Sequence, residues 1–279
     1  MVLGAFYGRR RMRLLTLTML VFVSMLSGCA GTPQSQSGNP EARPAGEENL
    51  SARLHTELAA GYFSRAQYAV ALQELRKALD ADKNYAPAYS ILGVVHAELR
   101  EDKEAEAHFQ RAVDLSPNYA EAHNNFGLFL CKRGRPAEAL KHFESALANP
   151  LYATPEKALA NAGNCALEKG DLAQAEIYFG RALKRVPNQS TALLGMADFH
   201  ARKGSWLAAR SVLRQLATQF DDLARLGPQA LWIGLRAERQ LGDREVEANY
   251  GAVLRRSYPE SIQAQWLISG QYEQPGSPL

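Results

Sequence analysis

Apolar and small residues recur along the chain in three parallel series, each with a step close to 34 residues. The first series holds alanines, the second holds bulky apolar residues four positions later, and the third holds mainly alanines three positions after that. In order, the members are Ala71, Ala105, Ala139, Ala175 and Ala209; Leu75, Phe109, Phe143, Phe179 and Leu213; and Ala78, Ala112, Ala146, Ala182 and Leu216. Because spacings of three and four keep residues on one helix face, each copy predicts an amphipathic helix.

Each copy also predicts an earlier helix, so that the repeating unit is a helical hairpin. A small residue in the earlier helix allows its partner helix to approach closely, at Gly93, Gly127 and Gly163. Glycines stand at the predicted turn between the two helices, where a left-handed residue ends a helix: Gly134, Gly170, Gly204 and Gly242. Since no strand pattern interrupts these units, the sequence predicts an all-α protein.

The period and its small, aromatic and small positions resemble the tetratricopeptide repeat. The second copy matches most fully, with Tyr89, Leu92, Gly93, Ala105, Phe109, Ala112 and Pro117. This resemblance implies a right-handed superhelical solenoid over residues 51–261, in which stacked hairpins bury one continuous core. The repeats are assigned to about 52–85, 86–119, 120–155, 156–189, 190–227 and 228–261. The sixth is degenerate, with Glu247 at the small position, and residues 262–279 are expected to form a capping helix and a frayed tail.

The N-terminus has the pattern of an export signal. Four arginines between positions 9 and 13 precede an apolar run over residues 14–26, which is short for a membrane span of about 20 residues. The run ends in Leu26-Ser27-Gly28-Cys29, which resembles the bacterial lipobox. That resemblance implies removal of residues 1–28 and lipidation of Cys29. An ordinary signal peptide or a short membrane helix is the alternative, and Met12 is an alternative start.

The residues that follow Cys29 indicate which membrane the lipoprotein is sent to and how the repeats are connected to it. In lipoproteins of Gram-negative bacteria, aspartate after the lipidated cysteine holds the protein at the inner membrane. The alanine at position 30 therefore implies the outer membrane, on its periplasmic face. Residues 29–50 are rich in Gly, Pro, Ser, Gln and Glu and predict a flexible linker.

Composition and the motifs that are missing argue against several classes of function. Residues 1–28 contain four of the 32 basic residues and none of the 29 acidic ones, so the formal charge falls from +3 to −1 after processing. Without a basic stripe, nucleic acid is not an expected partner. No catalytic, phosphate-binding or metal-binding motif is present, and the six histidines are scattered. We expect no enzymatic activity, no metal, no small-molecule substrate and no cofactor other than the lipid on Cys29.

Two further cysteines, Cys131 and Cys165, lie 34 residues apart near the ends of the first helices of repeats 3 and 4. In an oxidising periplasm they could pair and join the two repeats. The alternative is that both are free cysteines, packed as small apolar residues.

The concave groove of such a solenoid, lined by the first helix of each repeat, is the expected protein-binding surface. Several asparagines are predicted there, and amide side chains can both donate and accept hydrogen bonds to a bound peptide. Helical phase assigns to this groove Ser90, Ile91, Val94, Glu98, Asn124, Asn125, Leu128, Lys132, Asn161, Asn164 and Glu168.

The lipobox, the short tether, six repeats and the segment 121–131 together resemble the lipoproteins of type IV pilus biogenesis that act as pilotins of the pilus secretin. This resemblance covers nearly the whole chain. It implies binding of secretin subunits, their localisation at the outer membrane and their multimerisation. The alternative is a lipoprotein scaffold for another envelope machine, such as barrel assembly or cell-wall synthesis.

Overall fold

The structure, a computed structural model, describes residues 50–273, which form thirteen α-helices and no strand. The predicted all-α repeat solenoid is confirmed. The helices are Leu50–Phe63 (α1), Tyr68–Ala81 (α2), Ala86–Glu98 (α3), Asp102–Leu115 (α4), Ala120–Lys132 (α5), Pro136–Ala148 (α6), Pro155–Glu168 (α7), Leu172–Arg185 (α8), Ser190–Arg202 (α9), Trp206–Ala217 (α10), Pro228–Leu241 (α11), Arg244–Ser257 (α12) and Ile262–Ser269 (α13).

Packing along the described chain follows one rule from α1 to α12. Each odd-numbered helix packs against the even-numbered helix that follows it, and both pack against the next odd-numbered helix. Each hairpin therefore contacts its immediate neighbours, as in other stacked repeats. No described helix is both long and apolar enough to span a lipid bilayer.

The turns inside the hairpins share one backbone conformation. The predicted glycines adopt left-handed φ values of 73°, 81°, 70° and 82° at Gly134, Gly170, Gly204 and Gly242. In the first two repeats the same position is filled by Ala66 (φ 57°) and Arg100 (φ 64°). Because a Cβ is crowded in this region, each of these two turns carries a strain of about 1–2 kcal/mol.

The aromatic series fills the space that glycines leave between helices. A Cβ on Gly93 would lie 2.6 Å from the ring of Phe109, and one on Gly163 would lie 2.5 Å from the ring of Phe179. Phe179 is also approached from the next repeat, since a Cβ on Gly195 would lie 2.3 Å from the same ring. The close stacking of repeats 4 and 5 thus depends on two glycines around one phenylalanine.

The register of the sixth repeat differs from the prediction. A 3-10 turn, Leu223–Leu226, precedes α11, and Gly234 packs against the ring of Tyr250. The series therefore continues through Val246 and Tyr250, and the assignment of Glu247 to the small position is wrong. Glu247 instead accepts hydrogen bonds from two arginines of α11 and α12.

A short last helix, α13, follows the sixth hairpin. Ser261 caps it by accepting a hydrogen bond from the Ala264 N–H at 3.2 Å. Trp266 packs 5.7 Å from the buried Trp232, measured between ring centroids. The predicted signal peptide, Cys29, most of the linker and the tail at 274–279 lie outside the described residues.

Candidate protein-binding site

The eleven predicted groove residues lie on α3, α5 and α7, the first helices of three successive repeats. Glu98, Lys132 and Glu168 are exposed, and most of the others are half-buried. Among the apolar members, Val94 and Leu128 rest against the central core, and Ile91 packs against the core of the first repeats.

Ser90 was predicted to face the open groove, and this prediction is wrong. Its side chain is turned into the contact between α3 and α5, so that the residue is only 1% exposed. The Ser90 hydroxyl accepts a hydrogen bond from Asn125 Nδ2 at 3.2 Å.

The groove asparagines bond to one another across neighbouring helices. Asn161 on α7 donates from Nδ2 to Oδ1 of Asn124 on α5 at 3.0 Å. Asn124 in turn donates to Oδ1 of Asn125 at 3.5 Å. With the bond from Asn125 to Ser90, these residues form an amide ladder that crosses three first helices. The fourth asparagine, Asn164, is half-buried and faces α9.

A cluster of charged side chains lies on α7, α9 and α11, the first helices of repeats 4, 5 and 6. Arg202 Nη2 on α9 lies 2.9 Å from Asp198 Oδ2 and 3.6 Å from Glu168 Oε1 on α7. The side chain of Glu168 is only 29% exposed; this partial burial raises the pKa of its carboxyl, and the nearby Arg202 opposes the shift. From α11, the Arg236 guanidinium lies 5.3 Å from the ring of Trp206, and burial lowers its pKa.

The sequence reading missed this cluster, although one part of it was visible. Asp198 and Arg202 are four positions apart, a spacing that places opposite charges together on a helix. Glu168 and Arg236 come from the preceding and the following repeat, so only the stacking brings them to Arg202 and Trp206.

Cys131 on α5 and Cys165 on α7 form a disulfide, with the sulfur atoms 2.16 Å apart and the Cα atoms 5.8 Å apart. Both residues are buried, at 6% and 0% exposure. The bond joins the first helices of repeats 3 and 4 at their C-terminal ends, next to the exposed groove residues Lys132 and Glu168. It therefore ties together α5 and α7, the two helices that carry the three asparagines of the amide ladder.

A pair of histidines connects α5 and α6, the two helices of the third hairpin. His123 Nε2 lies 2.9 Å from the Pro117 carbonyl oxygen, to which it donates, and His123 Nδ1 lies 3.0 Å from His142 Nδ1. A carbonyl oxygen can only accept, so in a neutral His123 ring the proton lies on Nε2, and Nδ1 then accepts from Nδ1–H of His142. Burial, assisted by His123, lowers the pKa of His142 to about 4. Within residues 50–273, no group of three or more His, Cys, Asp or Glu side chains is placed to hold a metal ion.

The most exposed apolar surface of a first helix lies on α1, outside the predicted groove. Leu54 and Leu58 are 48% and 49% exposed. With Gly61 and Tyr62 they line a shallow depression of about 440 Å³, to which Glu57 and Arg65 also contribute. We call this surface the α1 end face. Sequence reading missed it, because leucines spaced four apart on a helix normally indicate buried core.

Comparison with known proteins gives consistent results. Two family models, both described as tetratricopeptide repeat, match the chain, one over residues 56–120, 125–190 and 161–224 and the other over residues 108–141. The type IV pilus assembly protein PilF of Pseudomonas aeruginosa is 30% identical over 239 residues, which is 86% of this chain and 90% of that protein.

Two solved structures extend this similarity to three dimensions. The crystal structure of PilW, described as a widely conserved type IV pilus biogenesis factor, has a TM-score of 0.70 and 28% identity, over 79% of this chain and 100% of PilW. A structure of Pseudomonas aeruginosa PilF has a TM-score of 0.67 and 30% identity, over 79% of this chain and 97% of that one.

Stacked helical hairpins, a polar groove and an exposed apolar end define a helical-repeat scaffold, the class of protein whose extended surfaces bind other proteins. The chain belongs to the tetratricopeptide repeat family, in the group that includes the type IV pilus assembly protein PilF.

Proposed function

We propose that this protein is a pilotin: a lipid-anchored periplasmic scaffold that binds secretin subunits of the type IV pilus and promotes their localisation and multimerisation at the outer membrane. The observation that carries the proposal is the similarity to PilF, which extends over 86% of this chain and 90% of the relative. An isolated match to a generic repeat would favour no particular machine.

The mechanism requires binding and tethering. The repeat surfaces hold a secretin subunit, and the lipid on Cys29 holds the complex at the membrane. Twenty linker residues span about 25 Å on average, as expected for a flexible chain, so subunits are concentrated in a thin layer next to the bilayer. A high local concentration in this layer favours assembly of subunits into a ring over separate subunits, as tethering does in general. This mechanism makes and breaks no covalent bond, so it needs no catalytic group and no cofactor beyond the lipid.

The test is the assembly state of the secretin in cells that lack this gene. Heat-resistant multimers are measured by immunoblot in outer-membrane fractions, before and after the wild-type gene or the Cys29→Ala variant is restored. We expect multimers to be lost without the gene, and to return to the outer membrane only with the wild type. Normal multimers in the deletion strain would overturn the proposal.

A second variant separates lipidation from destination. Ala30→Asp keeps the lipidated cysteine but supplies the residue that holds lipoproteins at the inner membrane. We expect this variant to be lipidated, retained at the inner membrane and unable to restore outer-membrane multimers. If it restores them fully, the proposed role of the outer-membrane address is wrong.

A further inference from the structure

The last helix of the stack, α13, is shorter than the first helices of the repeats. It has eight residues, whereas those helices have thirteen or fourteen. It contacts both α11 and α12, in the place that the first helix of a seventh repeat would take. Because helices joined by a short connection run antiparallel, a longer α13 would continue along the N-terminal half of α12. That half is therefore left uncovered by α13.

A pocket of about 290 Å³ lies against this part of α12. It is bordered by three helices, since α11 and α13 contribute side chains as well as α12. We call it the α12 pocket, and its lining includes Leu235, Arg244, Glu247, Gly251, Arg255 and Leu267.

The floor of the α12 pocket is apolar and is formed around Gly251. A Cβ on Gly251 would lie 3.4 Å from Cδ1 of Leu235 and 3.4 Å from Cδ2 of Leu267. Gly180 has the same register on α8, five positions after the small residue of its repeat, and a Cβ there would meet nothing within 4 Å. The sixth repeat thus has a surface at this register that the fourth repeat lacks.

The charge that is left unmatched in the α12 pocket is positive. Glu247 accepts hydrogen bonds from Arg239 at 2.9 Å and from Arg244 at 2.7 Å, one on each carboxylate oxygen. Arg255 forms no hydrogen bond or ion pair with another residue of 50–273, and its Nη1 lies 3.8 Å from the Cβ position of Gly251. Three arginines and one glutamate give this site a net charge of +2.

Two other second helices show what the register of Glu247 does inside the stack. Glu106 lies 2.8 Å from Arg135, which follows α5. Arg210 lies 3.3 Å from Glu238, near the end of α11. Each ion pair joins a second helix to the C-terminal end of the next first helix. Because α13 stops early, no described residue beyond it supplies such a counterpart to the sixth repeat.

We infer that the α12 pocket binds a segment of the partner that presents an acidic side chain next to an apolar one. This inference rests on the proposed function, under which the segment belongs to the secretin subunit. The carboxylate is bound by Arg255, with Arg244 beside it, and the apolar side chain rests on the floor around Gly251. The segment supplies at the end of the stack the ion pair that a seventh repeat would make.

The composition of the α12 pocket favours a protein segment over a phospholipid surface. Attraction to anionic lipids uses clusters of about four to eight basic residues, whereas two arginines line this pocket. The apolar floor provides a contact that a phosphate group alone would not use. A volume of about 290 Å³ is at the lower end of ligand pockets, which suits side chains of a peptide.

The experiment measures binding of the purified secretin subunit to the full processed chain, kept unlipidated by Cys29→Ser. Arg255→Glu reverses the charge at the pocket, and Arg256→Glu is the matched control, since Arg256 is the next residue of α12 and does not line the pocket. We expect Arg255→Glu to raise the Kd about tenfold or more, because it replaces an attraction by a repulsion. Arg256→Glu should leave the Kd within about twofold of the wild-type value.

A second pair of variants tests the apolar floor. Gly251→Leu places its Cβ in ordinary contact with Leu235 and Leu267 and fills the pocket with the rest of the side chain. Leucine is more favourable than glycine in a helix, so the fold is expected to persist, as circular dichroism would show. We expect the Kd to rise about fivefold or more for Gly251→Leu, and to stay within about twofold for Gly180→Leu, at the same register of α8.

The bound segment is identified with overlapping peptides from the subunit. We expect one peptide with adjacent acidic and apolar residues to lose affinity for Arg255→Glu, and to regain it when its acidic residue is changed to lysine. If the subunit binds Arg255→Glu as tightly as Arg256→Glu, the inference falls while the proposed function stands. If the subunit does not bind the wild type, both fall.

Two further outcomes would assign the α12 pocket to another occupant. Vesicles that contain phosphatidylglycerol are tested for binding to the same variants, and the oligomeric state of each variant is measured by sedimentation. Vesicle binding that Arg255→Glu abolishes, with the affinity for the subunit unchanged, would overturn the inference. A dimer of this chain that Arg255→Glu dissociates would overturn it as well.

Discussion

Replacement of Gly163 by alanine tests whether close approach of glycine to phenylalanine holds the stack together. The added Cβ would lie 2.5 Å from Cε1 of Phe179, roughly 1 Å inside ordinary contact between carbon atoms. The ring cannot move away toward the next repeat, because Gly195 already approaches it from that side. Phe179 is fully buried, at 0% exposure, so neighbouring helices must shift.

The expected magnitude follows from two opposing effects. Overpacking of a filled core destabilises by about 1–3 kcal/mol, whereas alanine in place of glycine stabilises a helix by about 0.5–1 kcal/mol. Because the ring is enclosed on both sides, we expect the upper part of the first range, and a net loss of about 2 kcal/mol. In a chain of this size, that corresponds to a fall in Tm of roughly 4–8 °C.

Gly180→Ala is the matched control, since Gly180 lies in the adjacent helix α8 and a Cβ there would meet nothing within 4 Å. It gains helix propensity without a clash, so its free energy of unfolding should rise by about 0.5–1 kcal/mol. Both variants are compared with the wild type by urea unfolding followed by circular dichroism. If Gly163→Ala is as stable as Gly180→Ala, the account of the packing is incorrect.

Three other perturbations have defined outcomes. Removal of the disulfide with Cys131→Ser and Cys165→Ser should lower the free energy of unfolding by about 3–4 kcal/mol, from closure of a 34-residue loop; an unchanged urea midpoint would contradict this. Arg100→Gly should raise the thermal midpoint slightly, since it relieves a left-handed φ of 64°; a lower midpoint would count against strain at this turn. Burial lowers the pKa of His142 to about 4, from 6.5, so the neutral ring stabilises the fold fully above pH 6.5 and this contribution is lost as pH falls toward 4. His142→Gln should therefore reduce the loss of stability between pH 7 and pH 4.5, and an identical loss in both proteins would refute the assignment.

The hairpin architecture could be predicted because its determinants are local and repeated. Phe109 and its equivalents recur with nearly constant spacing, and glycines mark the turns, so each copy supports the assignment of the next. The register predicted for the sixth repeat was wrong because the 3-10 turn Leu223–Leu226 adds residues between repeats. A periodic pattern does not reveal where such an insertion falls.

The binding surfaces were less predictable, because they depend on how helices rotate against one another. Helical phase placed Ser90 on the groove side but could not show that Asn125 would cover it. The contact of Arg236 with Trp206 joins separate repeats, and no local pattern predicts it. Leu54 and Leu58 have the spacing of core residues, and they are exposed only because no described helix precedes α1.

The amide ladder changes the thermodynamics expected of any ligand that enters the groove. Asn124, Asn125 and Asn161 already donate to one another or to Ser90. An extended peptide lying on these side chains would exchange existing hydrogen bonds for new ones, and would gain little net enthalpy from them. Affinity for such a peptide must come from apolar burial, which has a negative heat-capacity change as its signature. For such a peptide, the ladder would add little affinity and would discriminate weakly among sequences.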